Sequence, residues 1–370
     1  MAPRAPTTQH LRRTSQSSIK TDTSKSIDAK RNGTSNGVLD KERRLQLARN
    51  IDMVVFGDIA FRSWYPSWYP KEIIGEQALI GESKGIVVDR LNICPKCFAY
   101  SKEMVLWLQH VKCCERSGRG VPGNLIYTHP AGKGKGKGMK PVWSVWEVDG
   151  EVDTLFCQRL SLFAKLFLDN KSVFFDVSGF NYFLLVHTNP VSSIQQIVGF
   201  FSKEKMSWDN NNLACILIFP PWQKKGLGSI LMGVSYEISR REGIMGGPEK
   251  PISDLGKKGY KRYWGSEIAR WILEVKETDR KKGKGVIDVE QISQETWIAP
   301  EDCLCVLRDM PGVVVPAGMG KGTVERVRID KVTLREWVQQ QRLSLEKVVD
   351  PAGFMEGYGY KDRDHEENGD

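Results

Sequence analysis

The sequence predicts a mixed α/β fold, with some helices segregated from the strands as in α+β proteins. Three observations carry that prediction. From Trp143 to Ile238, short apolar runs alternate with amphipathic stretches, so strands and helices take turns along the chain. Leu213 to Phe219 (LACILIF) is apolar throughout, too short for a buried helix, and closed by Pro220 and Pro221, as a buried strand is. Behind it the loop Gln223-Lys224-Lys225-Gly226-Leu227-Gly228 gives way to Leu227, Ile230, Leu231, Val234 and Ile238 at helical spacing.

Taken in order, residues 1–50 are a basic tail, rich in Ser and Thr and poor in large apolar side chains, and are expected to be disordered. They hold 11 Lys/Arg against 4 Asp/Glu, so +7 of the net +9 lies there. Arg12-Arg13 and Lys41 to Arg44 fit contact with DNA phosphates or nuclear import, and a purely solubilising tail fits equally. Residues 51–130 form an ordered N-terminal region that opens on Met53 to Phe56 and the aromatic group Trp64 to Pro70. Residues 131–141 (AGKGKGKGMKP) are a basic low-complexity loop. Residues 142–276 make the core. Trp143 to Val148 reads as a strand, Asp149-Gly150 as a hairpin turn and Cys157 to Leu168 as an amphipathic helix. Lys171 to Val177, Tyr182 to His187 and Ile197 to Lys203 read as strands, and Leu255 to Val275 as a helix. Residues 277–346 form a C-terminal subdomain: two short helices within Val289 to Met310, then strands at Val313 to Val315 and Thr323 to Ile329. Residues 347–370 are expected to be largely disordered.

Composition excludes several classes. Aromatics at 9% and hydrophobics at 40% belong to a chain that buries a core. No apolar run approaches the roughly 18 residues of a membrane span, and no apolar signal region opens the sequence. Eight cysteines without a secretory signal point to a reducing compartment.

Two motifs carry chemistry. A strand, a glycine loop and a helix N-terminus present unpaired backbone N–H groups and a positive dipole end to an anion. Gly226 and Gly228 admit close approach, Lys224 and Lys225 add charge, and Lys224 to Ser229 read as a pyrophosphate cradle. The loop lacks the Lys-Ser/Thr ending of the P-loop and the third glycine of the dinucleotide fingerprint. The second motif is Cys94-Pro95-Lys96-Cys97, then His110 and the pair Cys113-Cys114. Two thiolates across a two-residue spacer form half of a tetrahedral zinc site, and a His and Cys one helical turn apart form the other half.

Together these motifs resemble the MYST family of histone acetyltransferases over Ile51 to Leu343. The Gln223-x-x-Gly226-x-Gly228 loop is similar to the acetyl-CoA site of the N-acetyltransferase fold, and Gly247 to Gly256 (GPEKPISDLG) to the segment that closes the family's catalytic region. Trp64 to Pro70 resembles the segment leading into its zinc module, and Cys94 to Cys114 its C2HC finger (about 91–116). The resemblance implies an N-acetyltransferase-like central sheet, an N-terminal C2HC zinc module and a C-terminal helix-turn-helix-like subdomain with a structural role. It implies acetyl-CoA as cofactor and a structural Zn²⁺ on Cys94, Cys97, His110 and Cys114, with Cys113 a bystander. Four protein ligands leave no open position for chemistry. It implies Glu249 as general base, Cys215 in the active site with a role left open, and Lys165 as a self-acetylated lysine. Backbone groups of Ile216, Leu217 and Ile218 would meet the pantetheine arm. Lys224, Lys225, Gly226, Leu227, Gly228 and Ser229 would hold the pyrophosphate, Gln223 would belong to the same cofactor-binding loop, and Ser253 would contact the cofactor near its reacting end.

On the residues alone, plainer readings stand beside these: a solvated loop glutamate, a buried small thiol, a helix N-cap at Ser253 and an ordinary helix lysine. The family has a short connection where residues 131–141 lie, and no reader barrel is expected before residue 51. The implied protein is a nuclear histone acetyltransferase, most like the fungal something-about-silencing branch. It would act on a histone tail, H4 first, within a complex of accessory subunits, with non-specific DNA contact and no membrane. An acetyltransferase for other proteins, or a catalytically weak chromatin-binding scaffold, are the alternatives.

Overall fold

The computed structural model describes residues 49–75, 86–130, 142–275, 286–311, 313–314 and 326–360. The basic tail up to residue 48, the Gly/Lys loop at 131–141 and the last ten residues lie outside that set. Three sheets organise the described residues. β1 (Ile51–Phe56), β2 (Ile59–Arg62), β3 (Val88–Ile93) and β4 (Tyr100–Ser101) form a sheet in the order β2-β1-β3-β4, with β1 and β3 parallel. Helix α1 (Met104–Arg116) follows β4.

The central sheet is antiparallel, in the order β5-β6-β7-β8-β9: Asn124–His129, Val142–Asp149, Phe180–Thr188, Gln195–Glu204 and Cys215–Ile218. Its two faces bury different partners, as the two-residue side-chain period requires. Phe183, Leu185 and Phe201 join the cluster under α3 (Leu227–Glu242) and α4 (Asp254–Glu274). Tyr182, Leu184, Val186, Phe200 and Leu217 join the cluster under α2 (Thr154–Lys165) and the N-terminal sheet. Phe183 and Phe201 sit opposite each other in the β7–β8 register and stack at 4.4 Å. β8 carries a bulge opposite Leu185 and Val186, next to Gly199.

The C-terminal subdomain comprises β10 (Val286–Asp288), α5 (Val289–Thr296), α6 (Pro300–Leu307), β11 (Val313–Val314), β12 (Arg326–Ile329) and α7 (Lys331–Gln340). Ile292, Val306, Leu307, Val327 and Leu334 are continuous with the α3–α4 core, so the subdomain shares its hydrophobic interior.

Four expectations are corrected. Asp149-Gly150 does not close a hairpin: the turn leads into α2, and β6 pairs with β7 only after that helix. The crossover needs a glycine, since a Cβ on Gly150 would lie 2.0 Å from the Val177 carbonyl oxygen. Lys171 to Val177 is not a strand, because both sides of β7 are already filled by β6 and β8. The central sheet starts at Asn124 rather than 142, since β5 pairs with β6 from the far side of the Gly/Lys segment. Finally, residues 347–360 are packed. Phe354 bridges to Tyr127 of β5, the Met355 N–H donates to the Ile126 carbonyl (2.9 Å), and the Tyr358 hydroxyl donates to Glu147 (2.9 Å). Arg241 of α3 lies between the Phe354 and Tyr360 rings and donates to the Tyr358 and Pro351 carbonyls.

Candidate active site

Among the described residues β9 is an edge strand, paired in the sheet with β8 alone. An edge of this kind can pair with an extended ligand through its backbone. Ile216 and Ile218 are half-buried against the α3–α4 cluster and Leu217 is buried on the other face, so the strand is held firmly while its outer edge stays open.

Past Phe219 the chain makes a short 3₁₀ turn (Pro220–Trp222) and enters the glycine loop. The Gln223 side-chain amide donates to the Ile218 carbonyl (2.8 Å), so this residue ties the loop back to the end of β9. Lys224 (φ 61°) and Gly226 (φ 78°) both take the left-handed conformation, strained for Lys224 and free for Gly226. Gly226 caps α3 without any side-chain hydrogen bond, and a Cβ there would meet nothing within 4 Å. The first N–H groups of a sixteen-residue helix thus open onto a space flanked by exposed Lys224 and Lys225, which suits an anion. Leu227 is buried beneath, and Gly228 lies at ordinary contact distance from Ile218. The Ser229 N–H donates to the Gly226 carbonyl (3.1 Å). The group expected here, a pyrophosphate, fits this arrangement.

The other end of β9 is occupied differently. The segment 246–249 runs parallel to residues 212–213: the Asn212 N–H donates to the Gly247 carbonyl and the Glu249 N–H to the Leu213 carbonyl, both at 2.9 Å. Those two bonds bring Glu249 beside the start of β9, where Cys215 is the first residue. Lys250, next along, reaches Asp302 (3.2 Å) and Glu301 (3.5 Å) on α6, which holds the segment from its outer side. Partial burial raises the Glu249 carboxyl above the usual carboxylate range; the Glu204 charge raises it further and Lys171 opposes both. The side chain itself stays open to solvent. Cys215 pairs with Ser202 of β8 and is half-buried. Ser253 caps α4, its hydroxyl accepting from the Gly256 N–H (3.1 Å), so the N-cap reading holds in the structure.

Two buried lysines lie at and just beyond the C-terminal end of α2. Lys165 is buried and donates to the Asp169 carbonyl (2.5 Å), and burial lowers its ammonium below the ordinary lysine value. Lys171 is buried as well, and its charge bears on Glu249. Sequence reasoning placed Lys171 in a strand and gave it no role. Nothing local marked it, because its position depends on the crossover from α2 to β7. Glu204 was missed for the same reason: only the β8–β9 connection brings it near Glu249.

The metal site is compact. The ligand atoms of Cys94, Cys97, His110 and Cys114 all lie within 4.8 Å of one another, and Cys113 points outward, exposed. Cys97 Sγ is 3.2 Å from His110 Nε2. A hydrogen bond from Cys94, helped by the Ala99 backbone and by His110, draws the Cys97 thiol well below the ordinary thiol range against its partial burial. Three sulfurs and one imidazole at this spacing fit a closed tetrahedral zinc site. The knuckle turns through Phe98 (φ 56°), whose ring packs on Phe56, Phe163 and Phe219 (centroids 5.6, 5.4 and 5.9 Å). Phe219 ends the apolar run of β9, so one aromatic cluster joins the zinc knuckle to the cofactor strand.

That strand is also sensitive from behind. A Cβ on Gly199 of β8 would lie 2.7 Å from the Leu217 carbonyl oxygen and 3.1 Å from Ile218 Cα. Gly199→Val should therefore displace β9 at an overpacking cost of about 1–3 kcal/mol. The expected result is weakened acetyl-CoA binding by calorimetry with zinc content unchanged; unaltered affinity would refute it.

Comparison with known proteins agrees with this geometry. Residues 121–352 match the MOZ/SAS family, and residues 48–114 match the MYST family zinc finger domain. The chain is 36% identical over 273 residues to histone acetyltransferase MOF of Drosophila melanogaster, covering 74% of this chain and 29% of that protein. It is 35% identical over 292 residues to the Tip60 homolog of Caenorhabditis elegans, with 79% and 57% covered. Over 235 residues it is 37% identical to histone acetyltransferase SAS2 of Saccharomyces cerevisiae, with 61% and 64% covered. The chain therefore spans only part of the length of each of these relatives. With the family matched across 121–352 and its zinc finger across 48–114, this chain belongs to the MOZ/SAS family of MYST proteins.

Proposed function

We propose that this protein transfers the acetyl group of acetyl-CoA to the ε-amine of a histone-tail lysine, histone H4 first, with Glu249 as general base. The observation that carries the reading is the division of labour along β9: a carboxylate fastened to its start and an anion cradle at its end. Four residues of strand span about 13 Å, a length suited to an extended pantetheine arm laid between them. Acetyl-CoA would supply the activated acyl group, held by the outer edge of β9 and by Lys224 to Ser229.

A substrate lysine arrives protonated at neutral pH, since its ordinary pKa is about 10.4. Glu249 can take that proton because it is open to solvent and its carboxyl is already raised by burial and by Glu204. The amine then becomes a nucleophile without need of a second group. Cys215 stands close enough in the strand to belong to the site, but a direct transfer does not require it to carry the acyl group. Relatives named histone acetyltransferases support the histone substrate, and a histone substrate supports a place in the nucleus. Among the described residues no helix is long and apolar enough to cross a membrane.

The test is mass spectrometry of recombinant nucleosomes after incubation with the protein and acetyl-CoA. Acetylated lysines in the H4 tail are expected; acetylation confined to small polyamines would overturn the reading. The same spectra locate self-acetylation. We place it on Lys171 rather than Lys165, because Lys171 is the buried lysine that bears on Glu249, whereas Lys165 is engaged by Asp169.

A further inference from the structure

The connection between β8 and β9, residues 205–212, holds the most exposed large apolar side chains near the base. Trp208 is 100% exposed and Met206 85%. A wholly exposed indole presents a large apolar ring face and an N–H that a ligand can use. The connection is nevertheless fixed. A Cβ on Gly246 would lie 1.7 Å from the Asn210 carbonyl oxygen, and the Asn212 N–H donates to Gly247. The backbone two residues beyond Trp208 thus abuts the segment that carries Glu249.

Charges of both signs surround it, but the cations are already paired and two carboxylates are not. The two lysines that flank Glu204 are committed elsewhere, Lys203 to Glu242 (3.0 Å) and Lys205 to Asp149 (2.7 Å). Glu204 and Asp209 make no ion pair among the described residues. An exposed indole between carboxylates is suited to a cation: the ring face attracts an ammonium or guanidinium, and the carboxylates add Coulomb attraction. The aliphatic stem of a lysine or arginine also covers apolar surface such as Met206.

We propose that Trp208, with Met206 in the same connection, is the platform on which a cationic, extended acceptor peptide lies as its lysine reaches Glu249. This rests on the acyl-transfer reading above and adds to it a residue that selects the acceptor. The platform reads the basic residues that flank the modified lysine, which explains how a site built for donor and proton can still prefer a basic tail.

The experiment compares the full chain with Trp208→Ala and Trp208→Phe, using an H4 tail peptide and the same peptide with its flanking lysines and arginines changed to alanine. Trp208→Ala should raise the KM for the basic peptide about tenfold, the size expected of a partly desolvated cation–π contact. The kcat at saturating peptide, the KM for acetyl-CoA and the melting temperature should not change. Trp208→Phe should restore most of the affinity, and Trp208→Ala should no longer distinguish the two peptides. Equilibrium binding of the labelled peptides, followed by anisotropy, reads the same surface without turnover. A peptide affinity unchanged by Trp208→Ala, or an equal loss for both peptides, would overturn the platform. Tight, Trp208-dependent peptide binding without any acetyl transfer would keep the platform and overturn the proposed reaction instead.

Discussion

Glu249→Gln is expected to lower kcat/KM for acetyl transfer by ~10²–10⁴-fold, the range for loss of a positioned general base. The amide keeps the size of the side chain and leaves the Glu249 N–H on the Leu213 carbonyl, so fold, zinc content and acetyl-CoA affinity stay as they were. The pH profile gives an independent reading. The carboxyl must be ionised to accept a proton, and its pKa lies above the usual carboxylate value. Activity of the native protein therefore climbs as pH rises through that pKa and levels off beyond it. The variant, having no carboxyl to ionise, lacks that limb. Retained turnover in Glu249→Gln, or an unchanged acid limb, would remove Glu249 from the role given to it.

The second large effect is on folding. Loss of a zinc ligand, through His110→Ala or Cys97→Ser, should unfold the N-terminal module. Structural zinc contributes about 10–16 kcal/mol in isolated fingers, as much as the whole stability of a typical domain, about 5–15 kcal/mol. The damage should reach the cofactor site, because Phe98 of the knuckle packs on Phe219 at the end of the β9 run. Elemental analysis, limited proteolysis and acetyl-CoA calorimetry on the same preparations check this. A variant that loses zinc, is cleaved within residues 48–116 and still binds acetyl-CoA normally would show that the aromatic cluster does not couple the two.

The parts of this architecture written in local sequence were legible there. The β9–loop–α3 unit declares itself because its strand is continuously apolar, its turn needs glycine, and its helix has a 3.6-residue period with Leu227, Ile230, Leu231, Val234 and Ile238 all buried. The zinc ligands were equally plain, since Cys-x-x-Cys spacing has few other uses. What escaped depended on distant partners. β5 is a six-residue strand whose place in the sheet is set by β6 across a low-complexity segment. Lys171 to Val177 has strand-like composition, but strand pairing needs an open edge and β7 has none. Residues 347–360 look polar and loop-like, yet a few contacts of Phe354 and Tyr358 with residues over two hundred positions earlier order them. The proposed site divides the same way: motifs mark Glu249 and the glycine loop as candidates, whereas Glu204, Lys171 and Trp208 become candidates only through what the fold sets beside them.

The clasp of Phe354 and Tyr358 on β5 and Glu147 also orders events during synthesis. A ribosome delivers β5 and the rest of the sheet well before the segment that covers its edge, and Arg241 waits in α3 for both rings. Until residue 360 has emerged, the Tyr127 edge is an open strand of the kind that pairs with other chains. The β5 edge is thus closed only once residues 354–358 have emerged, and a nascent chain stalled before the clasp is the species that chaperones and proteases are set to meet.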